Sequence, residues 1–355
     1  MTEQLRYDNK VAIVTGAGGG LGKAYAKLLA SRGAKVLVND FAPDVRGENG
    51  GGKGMADAVV AEIKKAGGVA VANYDDVRYG EKVVKACVDA FGTVDIIINN
   101  AGILRDVSFQ KMTPEDWDMI MQTHLYGTFS VTRAAWNILR EKSYGRIIVT
   151  ASSAGIYGSF GQVNYSTAKM GMFGLAQSLA KEGEKRNILT NAIAPLAGTR
   201  MTETVLPTEL CEQIKPDYVA DVVGYLVHDS SEENGSLFEV AGGYVAKMRW
   251  QRSNGARVHP KVSSPEAFKK EWKNAINFEK AEFPESNQEM NEIVMENLAA
   301  PEPANAAPVA AAPKSDLKSD DNFGMMATYM SKGEGKHLVA QLGAVYGFAI
   351  TKVKN

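Results

Sequence analysis

Val11-Ala12-Ile13-Val14-Thr15-Gly16-Ala17-Gly18-Gly19-Gly20-Leu21-Gly22 is the stretch on which the fold of this chain turns. A short apolar strand, Val11 to Val14, runs into a glycine-rich turn, and a helix is expected to begin near Leu21. Glycines in such a turn let the backbone approach a ligand closely. A pyrophosphate can then sit on the helix N-terminus, where free N–H groups and the helix dipole favour negative charge. The next apolar segment gives the loop its meaning. Val36-Leu37-Val38-Asn39-Asp40 reads as a second strand ending in an acid, close to the ~20-residue separation expected of a carboxylate that holds ribose hydroxyls. A carboxylate there accepts hydrogen bonds from a diol and repels a 2′-phosphate, which favours NAD over NADP. The other reading of Asp40 is a strand-end turn former.

Outward from this unit, short apolar runs recur at Val69 to Ala72, Val94 to Ile98, Arg146 to Val149, Leu189 to Ile193 and Leu237 to Val240, separated by helix-length segments. Together they imply an α/β chain of Rossmann type, a doubly wound parallel sheet of about seven strands with helices on both faces. Burial on both faces explains why Ile96-Ile97-Ile98 and Ile147-Ile148-Val149 are continuously apolar rather than alternating. Residues Gly47 to Gly54 interrupt one connection and are expected to form a mobile surface loop. After Tyr244 the alternation stops, so the expected division is a sheet domain over 1–245, a helical extension packed onto a surface over 246–300, an Ala/Pro linker over 301–315 and a short tail over 316–355.

Lys and Arg number 40 against 41 Asp and Glu, for a formal net charge of -1 with no long block of one sign. Electrostatics therefore points to no nucleic-acid or polybasic membrane partner. The two cysteines, Cys87 and Cys211, and four histidines lack metal-ligand spacing, so neither a disulfide scaffold nor a metal site is expected. No apolar run approaches the ~18 residues of a membrane span, and Met1 to Lys10 is too polar for a signal peptide, which reads as a soluble intracellular chain.

The chemistry is expected from Tyr165 and Lys169. Four residues is about one helical turn, so phenol and ammonium project from one face. A cation beside a phenol lowers the phenol's pKa and fits it for duty as a base. Ser152, thirteen residues before Tyr165, is the expected third member, with Ser153 its rival. Asp75-Asp76 and Asn99-Asn100-Ala101-Gly102 end the third and fourth strands, where a doubly wound sheet opens its ligand crevice. Ala101 and Gly102 leave room for a ribose, while Asn99 and Asn100 read equally as turn residues with structural hydrogen bonds.

Taken together, TGxxxGxG (Gly16, Gly20, Gly22), NNAG (Asn99 to Gly102), Ser152 and YxxxK (Tyr165, Lys169) resemble the short-chain dehydrogenase/reductase family over residues 5 to about 245. A closer similarity, through Asn73-Tyr74-Asp75, Gly102 to Asp106, Gly155 to Gly158 and Phe238-Glu239-Val240, is to the (3R)-hydroxyacyl-CoA dehydrogenase units of peroxisomal multifunctional enzymes of type 2. Lys332 to Lys352 is similar to the start of a sterol carrier protein 2 domain. The resemblance implies that Tyr165 is the general base, that Lys169 holds the nicotinamide ribose and tunes Tyr165, and that Ser152 hydrogen-bonds the substrate oxygen. It places Gly16, Gly20, Leu21, Gly22, Asp40, Asp75, Asp76, Asn99, Ala101, Gly102, Pro195, Gly198 and Thr199 around NAD, beside Tyr165 and Lys169.

Two departures stand out. His124 occupies the place where the family supplies an Asn to a proton relay, and as a helix-embedded core residue it is assigned no catalytic role. Pro195 is followed by Leu196-Ala197 before Gly198, where a direct Pro-Gly is usual. The expected function is NAD-dependent oxidation of a (3R)-3-hydroxyacyl-CoA in peroxisomal β-oxidation by a homodimer. The long helix Tyr165 to Lys185, with more apolar surface than one face needs, suits a dimer interface as well as core packing. The competing expectations are a steroid or ketoacyl-carrier reductase on the same fold and lipid carriage by the tail.

Overall fold

The computed structural model describes residues 4–41, 46–48, 54–199, 202 and 207–303. Most of the expected linker and the whole of the sterol-carrier-like segment lie outside the described residues. Two compact units emerge, residues 1–249 and the residues from 250 onward.

The first unit is one eight-stranded sheet in the order β3-β2-β1-β4-β5-β6-β7-β8. The strands are β1 (Val11–Thr15), β2 (Lys35–Asn39), β3 (Val69–Asn73), β4 (Ile96–Asn99), β5 (Gly145–Thr150), β6 (Ile188–Leu196), β7 (Leu237–Ala241) and β8 (Tyr244–Met248). The first seven run parallel, with Ala12 paired to Ile96 and Val14 to Ile98 across the centre. Between them lie α1 (Gly20–Ser31), α2 (Gly54–Lys65), α3 (Gly80–Phe91), α4 (Pro114–Ile120), α5 (Gly127–Lys142), α6 (Ser153–Tyr157), α7 (Val163–Gly183), α8 (Thr208–Gln213) and α9 (Pro216–Val227).

Each central strand feeds two cores. Ala12, Val14, Ile96 and Ile98 pack on the face covered by α1, α2 and α9; Ile13 and Ile97 turn to the face covered by α3, α5 and α7. Side chains alternate across a strand, so only a strand buried on both faces can be apolar at every position. The apolar surplus of α7 is largely absorbed here: Met172 and Phe173 are buried in the second core, with Met170 and Leu179 packed against it. Core packing, one of the two uses the sequence suggested for that surplus, is therefore served by these residues.

The eighth strand escaped the sequence pattern. β8 returns antiparallel on β7 through Gly242-Gly243, whose φ values of 53° and 85° are the left-handed pair that a two-residue hairpin turn demands. Tyr244, Val245 and Lys247 are exposed on this edge strand, so it carries no buried apolar run to announce it.

The second unit, taken by itself, holds α10 (Pro265–Ala275) and α11 (Asn287–Ala299). Ser264 and Ser286 cap them, the latter in a reciprocal box with Glu289. A bridge between Arg252 and Glu282 ties the connecting chain, reinforced by an ion pair of the same two residues.

Candidate active site

Strand order reverses between β1 and β4, and the crevice opens where their carboxyl ends diverge. A cavity of about 530 Å³ lies there. One wall is backbone. Gly16, Gly20 and Leu21 line it at the β1–α1 turn, where the chain packs so closely that side chains are excluded. A Cβ on Gly22 would stand 2.3 Å from the Gly16 carbonyl oxygen, and one on Gly18 2.7 Å from an Asp40 carboxylate oxygen. That oxygen accepts the Gly18 N–H at 2.7 Å, so Asp40 both ends β2 and braces the turn. Asn100 braces it from β4, donating to the carbonyls of Thr15 and Gly16. The result is a glycine-rich cradle at a helix N-terminus with a buried carboxylate beside it. Those features fit the diphosphate and the ribose diol of a dinucleotide.

The facing wall is made of side chains from β5, α6 and α7. Ser152 caps α6, accepting the Ala154 N–H at 3.2 Å, and its hydroxyl hydrogen-bonds the Tyr165 hydroxyl. Ser153 also reaches the cavity but is exposed, so of the two serines Ser152 is the one joined to Tyr165. Lys169, one turn along α7, is buried; its ammonium donates to the Thr150 carbonyl and lies 5.4 Å from the Tyr165 ring centre.

The charge balance departs from the expected depression of Tyr165. Burial pushes the phenol up to about 12, against the Ser152 hydrogen bond, while Asp106 pushes in the same direction as burial. Burial likewise brings the Lys169 ammonium down to about 7. Both groups are driven towards neutrality, because desolvation of two adjoining buried groups outweighs the attraction of a cation for a phenolate.

His124 belongs to this wall as well. Residues Met121–Tyr126 form a π-helical turn between α4 and α5, which carries the imidazole inward until it is 1% exposed. Its Nε2 stands 3.1 Å from the N–H and 2.8 Å from the carbonyl oxygen of Ile103, and its ring meets Tyr165 edge-on at 5.2 Å. Burial first, and the Lys169 charge second, hold it well below its usual pKa, so the ring is neutral. The sequence reading took it for a core residue with no catalytic role. The structure makes it a buttress between Tyr165 and the Gly102-Ile103 segment, a placement that no periodicity announces because a π turn breaks the helical register.

Asp76, Ala101, Gly102, Pro195 and Thr199 also line the cavity, as expected, and Gly47 joins them, lying against Ile103 and Met119. Gly47 thus contributes to the wall, whereas residues 49–53 of the expected loop lie outside the described residues. Four expected contacts stand off the cavity. Gly22 packs under the turn. Asp75 is held by the Asn73 amide at 2.8 Å. Asn99 is tied to Thr132 at 3.0 Å within the buried sheet. Gly198 is pressed on the chain at Cys211, where a Cβ would come within 1.9 Å of a carbonyl oxygen. Each of these residues shapes the wall from behind. Phe41, Arg78 and Gln162 reach the cavity without any motif to flag them, and Leu104 and Asp106 reach it from the Gly102 to Asp106 segment of the resemblance.

A family model of short chain dehydrogenases matches residues 10–210. The chain is 53% identical over 300 residues to the peroxisomal multifunctional enzyme type 2 of Mus musculus, covering 84% of this chain and 41% of that one. It is 53% identical over 285 residues to the peroxisomal multifunctional enzyme A of Dictyostelium discoideum, covering 80% and 64%. The chain therefore spans less than two thirds of the length of either relative. Among solved structures, the full-length peroxisomal multifunctional enzyme type 2 of Drosophila melanogaster superposes with a TM-score of 0.70 at 42% identity, covering 82% of this chain and 50% of the other. With the family model spanning over half of its length and the cradle and Ser-Tyr-Lys wall sharing one cavity, this chain belongs to the short-chain dehydrogenase family.

Proposed function

We propose that the protein oxidises (3R)-3-hydroxyacyl-CoA to 3-ketoacyl-CoA with NAD, in peroxisomal β-oxidation. One observation carries the reading: a single cavity has a dinucleotide cradle on one side and Ser152, Tyr165 and Lys169 on the other. The identity to peroxisomal multifunctional enzymes supplies the substrate class and the compartment.

NAD, when bound, supplies the hydride acceptor. Ser152 holds the substrate hydroxyl through its own hydroxyl, which also interacts with that of Tyr165. Tyr165 takes the hydroxyl proton as general base. Lys169, fixed by the Thr150 carbonyl, holds the ribose. Asp40 accepts the adenosine ribose hydroxyls and disfavours a 2′-phosphate. With burial holding the phenol up towards 12, oxidation by this chain accelerates as pH rises through the alkaline range. A homodimer belongs to the same reading, supported by the exposed aromatic pair Tyr126 and Phe129 where α5 begins, with ring centres 5.8 Å apart.

The test is NADH formation from a (3R)-3-hydroxyacyl-CoA by purified protein. Tyr165→Phe is expected to lower kcat by roughly 10²- to 10⁴-fold while NADH still binds. Undiminished turnover in that variant sinks the assignment, and a preference for NADP over NAD sinks the cofactor.

A further inference from the structure

The segment that follows β4 is fastened beside Tyr165 at successive residues. Ile103 is paired with His124, Gln162 Nε2 donates to Asp106 Oδ2 at 2.7 Å, and the Val107 N–H donates to the Gly161 carbonyl at 2.8 Å. Between these ties stands Asn164, the residue before Tyr165, which is 0% exposed. Its Nδ2 donates to the Arg105 carbonyl at 3.2 Å and to the Asp116 carbonyl of α4 at 3.0 Å, and its Oδ1 accepts the Tyr165 N–H at 2.8 Å. A carbonyl can only accept and a backbone N–H can only donate, so the amide has one workable orientation, with both of its own N–H groups committed. Arg105 and Asp116 are also joined to each other by an ion pair at 3.2 Å. One buried amide thus ties three elements together, and one of its bonds lands on the backbone of the reacting tyrosine.

That bond meets a need of the helix. The Tyr165 N–H belongs to the first turn of α7, where no preceding helical carbonyl is available, and Gln162 at the helix start makes no capping bond with its side chain. The same three elements also meet in an apolar cluster of Ile103, Ile120 and Ala168, with Met119 and Tyr165 packed on it. Apolar contact is non-directional and holds elements together without fixing their register, whereas a hydrogen bond weakens steeply as it is misaligned. Cohesion therefore comes from the cluster and placement from the amide. Placement has a large effect on rate, since misplacing a reacting group by ~1 Å can cost about 10²-fold.

We propose that Asn164 is a positioning residue for the proton transfer at Tyr165: its amide sets the start of α7 against the Arg105 and Asp116 carbonyls, and so sets where the phenol stands in the cavity. The proposal rests on the oxidation read for this site. Asn164 itself is not part of the cavity lining, so it acts only through what it holds.

The experiment compares wild type, Asn164→Ala, Tyr165→Phe and the double variant in NADH formation from a (3R)-3-hydroxyacyl-CoA. Asn164→Ala is expected to lower kcat by about 10- to 100-fold, with KM for the substrate and Kd for NADH changed less than about twofold. In the Tyr165→Phe background the same substitution should lower the residual rate by less than about twofold, because residues that act through one group are not additive. Losses that multiply overturn the proposal, and so does an unchanged kcat in a folded variant of lowered Tm, the result a merely structural amide gives. Where Asn164→Ala does not fold, Asn164→Ser, whose hydroxyl can serve one of the three partners, takes its place in the same cycle. Protein labelled with ¹³C at tyrosine Cζ adds a readout that needs no turnover. The resonance assigned to Tyr165 by its loss in Tyr165→Phe should move in Asn164→Ala, while that of Tyr25, buried on α1, stays in place. If the wild type forms no NADH, the activity reading fails and this resonance decides the placement: a moved line sustains the role of Asn164 and a fixed line overturns it.

Discussion

The two walls of the cavity work by opposite means. The wall at β1 and α1 is backbone: turn geometry, close approach and one buried carboxylate, with no side chain that reacts. The wall on β5, α6 and α7 is made of side chains whose charges burial has pushed towards neutrality. On the first wall any added atom does damage by collision, whereas on the second a change of nearly equal size does damage by altering a proton's position. A binding surface can therefore be fixed by what is missing from it, and a reacting surface only by what is present.

The sharpest way to break this comparison is Tyr165→Phe, which removes one oxygen. Activity should fall by roughly 10²- to 10⁴-fold, while thermal unfolding and NADH affinity stay close to the wild type. A large loss of stability would mean that this wall, too, is built mainly by shape.

Gly22→Val puts the opposite case. Its Cβ would meet the Gly16 carbonyl oxygen at 2.3 Å, which only a backbone shift can relieve. The cost should be about 1–3 kcal/mol of stability by denaturant titration, together with weakened NADH binding. Retained affinity would show that the turn tolerates movement.

Lys169→Met tests the electrostatic side by stability alone. Lys169 titrates near 7 in the folded protein and near ~10.4 when unfolded, so the unfolded chain binds more protons between those values and wild-type stability rises with pH across that window. Below about 7 both states are protonated and the full penalty of burying a charge is present. The methionine variant should therefore be more stable than the wild type near and below neutrality, with the advantage shrinking as pH climbs above 7, and it should be inactive. A constant difference across pH would contradict the desolvation account. His124→Phe gives a smaller effect, about 1–3 kcal/mol of lost stability, because it strands whichever Ile103 backbone group, N–H or carbonyl, Nε2 pairs with, while keeping the edge contact with Tyr165. A neutral result on unfolding would mean water replaces the imidazole there.

Much of the first wall was legible in the sequence because glycine spacing reports backbone conformation directly. Gly16, Gly20, Leu21 and Asp40 stand where the spacing put them. The limits of that reading are Gly22 and Gly198, whose glycines serve packing behind the wall, and Asn99, whose amide is spent on Thr132. In each case the residue type says that something comes close without saying whether that something is ligand or chain. Of the second wall, the YxxxK spacing and Ser152 were legible because one helical turn and a strand end are local geometry. Gln162 was not, since it reaches the cavity from a loop, and His124 and Asp106 were noted by resemblance alone, because an irregular turn and a loop place them there. The β7–β8 hairpin shows the same limit: Gly242-Gly243 signalled a turn, but an exposed edge strand has no apolar run to complete the pattern.

By itself the sequence determined the sheet, since continuous apolar runs such as Ile96-Ile97-Ile98 can be satisfied only between two helical layers. It also pointed to the glycine turn and to Ser152, Tyr165 and Lys169, which line one cavity. Tertiary structure alone decided the protonation balance of that set. Whether a Lys beside a Tyr favours phenolate or neutral phenol depends on how much water both have lost, and that loss is set by β5, the π turn at His124 and the segment at Asp106, all distant in the chain from Lys169.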